Sequence, residues 1–311
     1  MPVDPQLAAL LEFLAASGKP MSEGTPEEAR RSFRTLTVDL RDPATLPAVD
    51  AVEDITIPGA EGDLAGRVYT PGTPGPLPTV VFFHGGGFVI GDLDTHDLVA
   101  RTIATACDAV VLSVAYRLAP EHPWPAGLDD ALAATRWAAA HLPDLGGDDR
   151  LAVGGDSAGG NLSAIVAQAC RDEGLALAGQ LLMYPVTDTG SDHPSMTENA
   201  EGYLLDLATM MWFHQQYTGH LPELDLADPR LSPRHGDLSR LAPAVIVVAE
   251  FDPLRDDGLA YAAALIDAGV PVEVRNFPGL IHGFADLGRH SPAAQAAVEE
   301  TFALFRKVLH G

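Results

Sequence analysis

The apolar positions of this chain change period twice. Across residues 5–16, Leu7, Leu10, Leu11 and Leu14 recur at helical spacing. Residues 26–40 read as a second helix, opened by Pro26 and followed by Glu27 and Glu28, which suit a helix N-terminus. The period then falls to two. Val52 to Ile57 and Leu64 to Tyr69 alternate around a turn between Gly59 and Gly62, which predicts a β-hairpin. Pro71 to Pro78 is a Pro/Gly loop.

From there, short apolar runs predict strands at Val80–Phe83, Ala109–Ala115, Leu151–Val153, Gln180–Tyr184, Val245–Ala249 and Val272–Phe277. Helices are expected over Gly127–His141, after Ser157, over Gly258–Ala268 and over Pro292–Leu309. Strands without polar alternation, separated by helices, predict an α/β fold with a mostly parallel sheet covered on both faces. Two stretches break the rhythm. The N-terminal helices have no place in a sheet, and no strand is evident between Asp188 and Leu241. That second stretch carries Tyr203, Leu204, Leu205, Met210, Met211, Trp212, Phe213 and Tyr217 at partly helical spacing. The expected division is residues 1–45 and 188–240 as a helical cap, with 46–187 and 241–311 as the core.

Composition narrows the function. The chain has 311 residues, 47% of them hydrophobic, enough for one large core. Its formal net charge of -24, with 19 basic residues, argues against a nucleic-acid partner and against anionic membrane surfaces. No apolar run reaches the roughly 18 residues of a spanning helix. Met1 to Pro5 lacks a basic leader region, so a cytoplasmic protein is expected. Cys107 and Cys170 sit in apolar helical contexts and read as buried free thiols. Neither H-E-x-x-H nor C-x-x-C occurs, so no metal is expected.

The chemistry concentrates at Gly155-Asp156-Ser157-Ala158-Gly159. The motif follows the apolar run ending at Val153 and opens a helix. G-x-S-x-G between a strand and a helix is a nucleophile elbow: the glycines permit a sharp turn, and the serine is held out where a base can reach it. The base candidate is His282, in Pro278-Gly279-Leu280-Ile281-His282-Gly283-Phe284, after the last strand. The orienting acid is Asp252, after an earlier strand, with Glu250 and Asp256 as rivals. Asp256 has the alternative of pairing with Arg255. The resulting order Ser, Asp, His is that of α/β-hydrolases. His84-Gly85-Gly86-Gly87 directly follows a strand and reads as an oxyanion loop, joined by the amide of Ala158 after the nucleophile. His84 reads as structural. So does the proline-dense segment Tyr116–Pro125.

At these residues the chain resembles the hormone-sensitive-lipase-like esterases, bacterial family IV. The resemblance rests on His84-Gly85-Gly86-Gly87-Phe88, Tyr116-Arg117-Leu118-Ala119-Pro120-Glu121, the elbow with Gly160-Asn161, Asp252-Pro253-Leu254-Arg255-Asp256 and His282-Gly283-Phe284. It implies an eight-stranded α/β-hydrolase core and a helical cap. It further implies a Ser157/Asp252/His282 triad with Gly85, Gly86 and Ala158 donating to the oxyanion, small-molecule esters of short to medium acyl chain as substrates, no cofactor, and frequent homodimers. The rival readings are an amidase or deacetylase with the same triad and a non-catalytic receptor on the same fold.

Overall fold

A computed structural model describes residues 2–17 and 19–311. Met1 and Gly18, both within the expected segment 1–45, lie outside the described residues. The eight strands are β1 (Ala51–Gly59), β2 (Gly62–Thr70), β3 (Leu77–Phe83), β4 (Val110–Val114), β5 (Gly147–Asp156), β6 (Gly179–Met183), β7 (Ala244–Phe251) and β8 (Val272–Ile281). They form one sheet in the order β1-β2-β4-β3-β5-β6-β7-β8. β2 is antiparallel to both its neighbours, and every pairing from β4 to β8 is parallel.

Burial explains the arrangement. All residues of β3, β4 and β6 are buried, as befits central strands without polar alternation. β1 is mostly exposed and serves as the edge. Successive side chains of β3 face opposite layers: Val80 and Phe82 join one core cluster, Val81 and Phe83 another. The first cluster is covered by α3 (Asp97–Cys107) and α9 (Pro292–His310). The second is covered by α4 (Ala126–Ala140) and α5 (Ala158–Glu173). A third cluster packs α8 (Arg255–Asp267) on β6 and β7.

From β3 the chain crosses through α3 to β4 on one side, then through α4 to β5 on the other side of β3. The loops after β3 and β5 therefore part company. A parallel sheet opens its crevice at that switch, beyond the carboxyl ends of the strands.

The sequence reading gives helix α3 no range and places only Cys107, its last residue, in a helical context. Its buried Val99, Ala100, Ile103, Ala104 and Cys107 do recur at helical spacing, but small alanines dilute the stripe. The helix expected over 26–40 is also two pieces. α2 (Pro26–Arg34) starts with a capping box between Thr25 and Glu28, and Thr35–Asp39 continue as a π-helical turn. β5 and β8 run beyond their apolar runs, to Asp156 and Ile281, because pairing with neighbours continues past the hydrophobic signal. In the insert, α6 (Pro194–Glu198) and α7 (Leu207–Thr218) are helices, and no strand occurs there among the described residues.

The N-terminal segment is tied to the core at several places, among them the pairing of Arg34 with Asp92 and Asp94. In α1 (Pro5–Ser17), Leu7 is fully buried, and the Asp4 amide donates to the Gly279 carbonyl at 2.9 Å. In α2, Arg30 donates to the carbonyls of Val89 and Ala119 at 2.8 and 2.9 Å and pairs with Glu121.

Candidate active site

Ser157 sits at the β5–α5 junction with φ 53° and ψ -116°. A non-glycine residue at such a positive φ costs about 1–3 kcal/mol, which the surrounding structure must impose. Here it does so through close approach. A Cβ on Gly155 would collide with the Gly159 backbone, and one on Gly159 would collide with the carbonyl of Phe83. Both glycines are therefore required for β3, β5 and α5 to meet, and the turn between them has room for nothing wider. The Ser157 amide donates to the Met183 carbonyl at 2.8 Å, which fixes the elbow to the end of β6.

His282 follows β8 and approaches Ser157 from the far side. Its Nε2 lies 3.0 Å from Ser157 Oγ, and its Nδ1 lies 2.7 Å from Asp252 Oδ2. A carboxylate only accepts, so Nδ1 carries the proton and Nε2 is free to take one from the serine. Asp252 is fully buried, and its Oδ1 accepts the Leu254 amide at 2.8 Å. Tyr184, with φ 37°, lays its ring 4.7 Å from the His282 ring and restricts the imidazole's swing. The rival acids are committed elsewhere. Glu250 accepts the Gly279 amide at 2.8 Å, and Asp256 pairs with Arg255 at 2.8 Å.

The loop after β3 departs from expectation at one residue. The Gly85 amide donates to Asp156 Oδ1 at 2.8 Å, so it is not available to an oxyanion, and Gly85 is withdrawn as a donor. The physical reason is the turn itself: Asp156 is buried beside the loop and needs a donor there. The amides of Gly86, Gly87 and Ala158 are engaged by no other group among the described residues. Gly86 and Gly87 have φ 111° and 59°, and a Cβ on Gly87 would run into the Phe213 ring.

His84 braces this loop. Its Nδ1 donates to the Gly85 carbonyl at 2.8 Å, its ring stacks on Tyr116 at 4.4 Å, and the Tyr116 hydroxyl donates to the His84 carbonyl at 2.7 Å. Burial, with help from the charge of nearby His96, pulls the imidazole of His84 down to about 4, so it stays neutral near pH 7. Arg117, in the same proline-dense segment, grips the fully buried Asp130 at 2.8 Å, and Glu121 holds Arg30.

Ser157 and His282 open into a cavity of about 720 Å³, mostly apolar, within the usual range for small-molecule sites. Its far walls come from the N-terminal helices (Leu14, Phe33) and from the insert (Met196, Met210, Phe213). Around it stand Phe13, Leu40 and Met211, each more than 60% exposed. Of the insert histidines, His214 lines the cavity and is pulled down by burial. His193 approaches Arg234 and His235 approaches Asp188. The sequence reading left Asp156, His96 and Phe213 without a role. Asp156 lay within the quoted motif, but nothing in the pattern distinguishes a buried carboxylate from an exposed one. Both thiols are buried and unpaired, and burial pushes both up.

A family described as having the alpha/beta hydrolase fold matches residues 80–286. The carboxylesterase NlhH of Mycobacterium tuberculosis is 45% identical over 99% of this chain and 97% of its own length. An ethyl acetate hydrolase of Pseudomonas putida is 40% identical over 93% of each chain. The solved structure of a hyperthermophilic esterase from the archaeon Pyrobaculum calidifontis superposes with a TM-score of 0.94 at 40% identity, covering 99% of both chains. With an elbow serine, a histidine and a buried aspartate in one hydrogen-bonded row above a parallel sheet, the chain belongs to the α/β-hydrolase family and is an ester hydrolase.

Proposed function

We propose that this enzyme cleaves short- to medium-chain carboxylic esters through Ser157, His282 and Asp252, with the amides of Gly86, Gly87 and Ala158 receiving the oxyanion. The observation that carries the reading is the row of two hydrogen bonds, 3.0 and 2.7 Å long, ending at a serine on the wall of an apolar cavity. Ser157 Oγ attacks the ester carbonyl carbon as its proton passes to His282 Nε2. The carbonyl oxygen becomes an oxyanion facing the unengaged amides. Collapse of this intermediate expels the alcohol, which takes the proton from His282. Water then adds to the acyl-enzyme with His282 as base again, and the acid leaves. Asp252 holds the imidazole's tautomer and stabilises its protonated form without accepting the proton. Each oxyanion donor is worth about 10²–10³ in kcat.

The residues 1–45 and 188–240 act in this reading as the cap over 46–187 and 241–311, and they set the acyl limit. The apolar walls supplied by Phe33, Met196 and Met210 support that assignment. A homodimeric state rests on the family resemblance alone; sedimentation at assay concentration tests it.

The deciding experiment is hydrolysis of p-nitrophenyl esters from acetyl to palmitoyl, run beside Ser157→Ala. Turnover is expected to peak at short to medium chains and to fall by about 10⁶ in the variant. A folded Ser157→Ala protein with wild-type turnover would sink the reading.

A further inference from the structure

Behind the oxyanion loop lies a buried charged pair that none of these steps uses. His96, at the start of α3, is 2% exposed, and its Nε2 stands 3.6 Å from Asp156 Oδ1. This is ion-pair distance, longer than a hydrogen bond. The same oxygen accepts the Gly85 amide at 2.8 Å. One carboxylate oxygen thus meets the loop on one side and a buried imidazole on the other.

The imidazole is built into place. Its Nδ1 lies 2.9 Å from Thr95 Oγ1, and that hydroxyl is fixed by the main chain of Asp92. The rings of Phe33, Phe82 and His84 surround it at 5.9, 6.4 and 5.2 Å. The titratable groups facing it are Asp92, Asp156, Asp286 and His84. A carboxylate as buried as Asp156 loses its charge unless a cation or several donors compensate it. His84 is neutral near pH 7, so His96 is the cation within reach. A charged acceptor holds an amide about twice as strongly as a neutral one.

We infer that His96 is a positioning residue for the oxyanion hole: by pairing with Asp156 it keeps that carboxylate ionised, and the carboxylate anchors the Gly85 amide so that the amides of Gly86 and Gly87 face the reacting carbonyl. The electrostatics agree. Burial would drive His96 down and Asp156 up, yet their mutual attraction leaves His96 raised and Asp156 lowered. Misplacement of a reacting constellation by 1 Å costs about 10² in rate, so a loosened anchor should be felt in kcat.

The inference rests on the proposed role of Ser157 and the loop amides, and the test separates the two. His96→Gln, Asp156→Asn, the double variant and Ser157→Ala are assayed on one p-nitrophenyl ester across pH. His96→Gln should lower kcat about tenfold, with KM within about twofold, since the loop acts on the transition state and not on ground-state binding. The acid limb of kcat/KM should move to higher pH, because an unpaired buried carboxylate protonates sooner. The double variant should lose no more than Asp156→Asn alone, since His96 acts through Asp156. A folded His96→Gln protein with wild-type kcat overturns the inference, as do losses that multiply in the double variant. If His96→Gln does not fold, Asp156→Asn decides alone. It keeps an oxygen for Gly85 but no charge, and full kcat with an unmoved acid limb overturns the inference. An active Ser157→Ala protein would refute the mechanism itself; an inactive one beside an unimpaired His96→Gln would refute the positioning role only.

Discussion

The floor and the roof of the cavity are held by different physics. The floor, made by the loops after β3, β5 and β8, is buried and fixed through hydrogen bonds to Met183, Asp156 and Asp252. Backbone approaches there leave no space for a methyl group at Gly155 or Gly159. The roof, made by the N-terminal helices and the insert, presents Phe13, Leu40 and Met211 to solvent and is joined to the core largely by side-chain ties such as Arg30–Glu121. Chemistry that must be positioned to fractions of an ångström is placed where packing forbids movement. Contact with the variable part of a substrate is left to side chains that can rearrange at small cost.

The contrast breaks most severely on the floor. Gly159→Ala should destabilise the fold by about 3 kcal/mol through overpacking against Phe83 and lower Tm by several degrees, with esterase activity lost in step. A Gly159→Ala protein of unchanged Tm, measured calorimetrically, would mean that the floor yields. On the roof, Met211→Ala should change stability by less than about 0.5 kcal/mol. It should instead shift the preferred acyl length, changing the ratio of kcat/KM for adjacent chain lengths by a few-fold.

The smallest effect concerns the roof's tie to the core. Pairing with Arg30 holds the Glu121 carboxyl down to about 2, against 4.5 when unfolded. A depressed acid stabilises the folded form above its unfolded value and loses that contribution as pH falls through its folded value. Glu121 is half exposed and its pair is open to solvent, so the contribution is modest and screened by salt. Limited proteolysis of the N-terminal helices should therefore be faster in Glu121→Gln than in wild type at pH 7. The difference should vanish between about 4.5 and about 2. A difference independent of pH would assign the tie to the carbonyl contacts of Arg30 alone.

The same contrast governs what the sequence reveals. Ser157 stands out as a candidate because the elbow glycines are steric requirements, and steric requirements leave a residue-type signature; Asp252 and His282 stand out by their order and their place after strands. β3, β4 and β6 were legible because fully buried strands must be apolar throughout, and β1 and β2 because a half-buried hairpin alternates. The Gly85 amide was misassigned because a backbone donor has no signature of its own: its partner, Asp156, becomes visible only when β5 and the loop after β3 are brought together. Helix α3 was passed over because Ala100 and Ala104 pack as well as larger residues there and carry little hydrophobic weight. The roof's contacts, such as Phe213 over Gly87, join segments more than a hundred residues apart, and no local pattern encodes them.

The bond from Asp4 to Gly279 has a practical side. Gly279 lies three residues before His282, and Leu7 fills the core close by. Trimming the first ten residues to obtain a tidier recombinant protein would remove a support of the loop that carries His282. The damage would be read as a slow enzyme, not as a missing one.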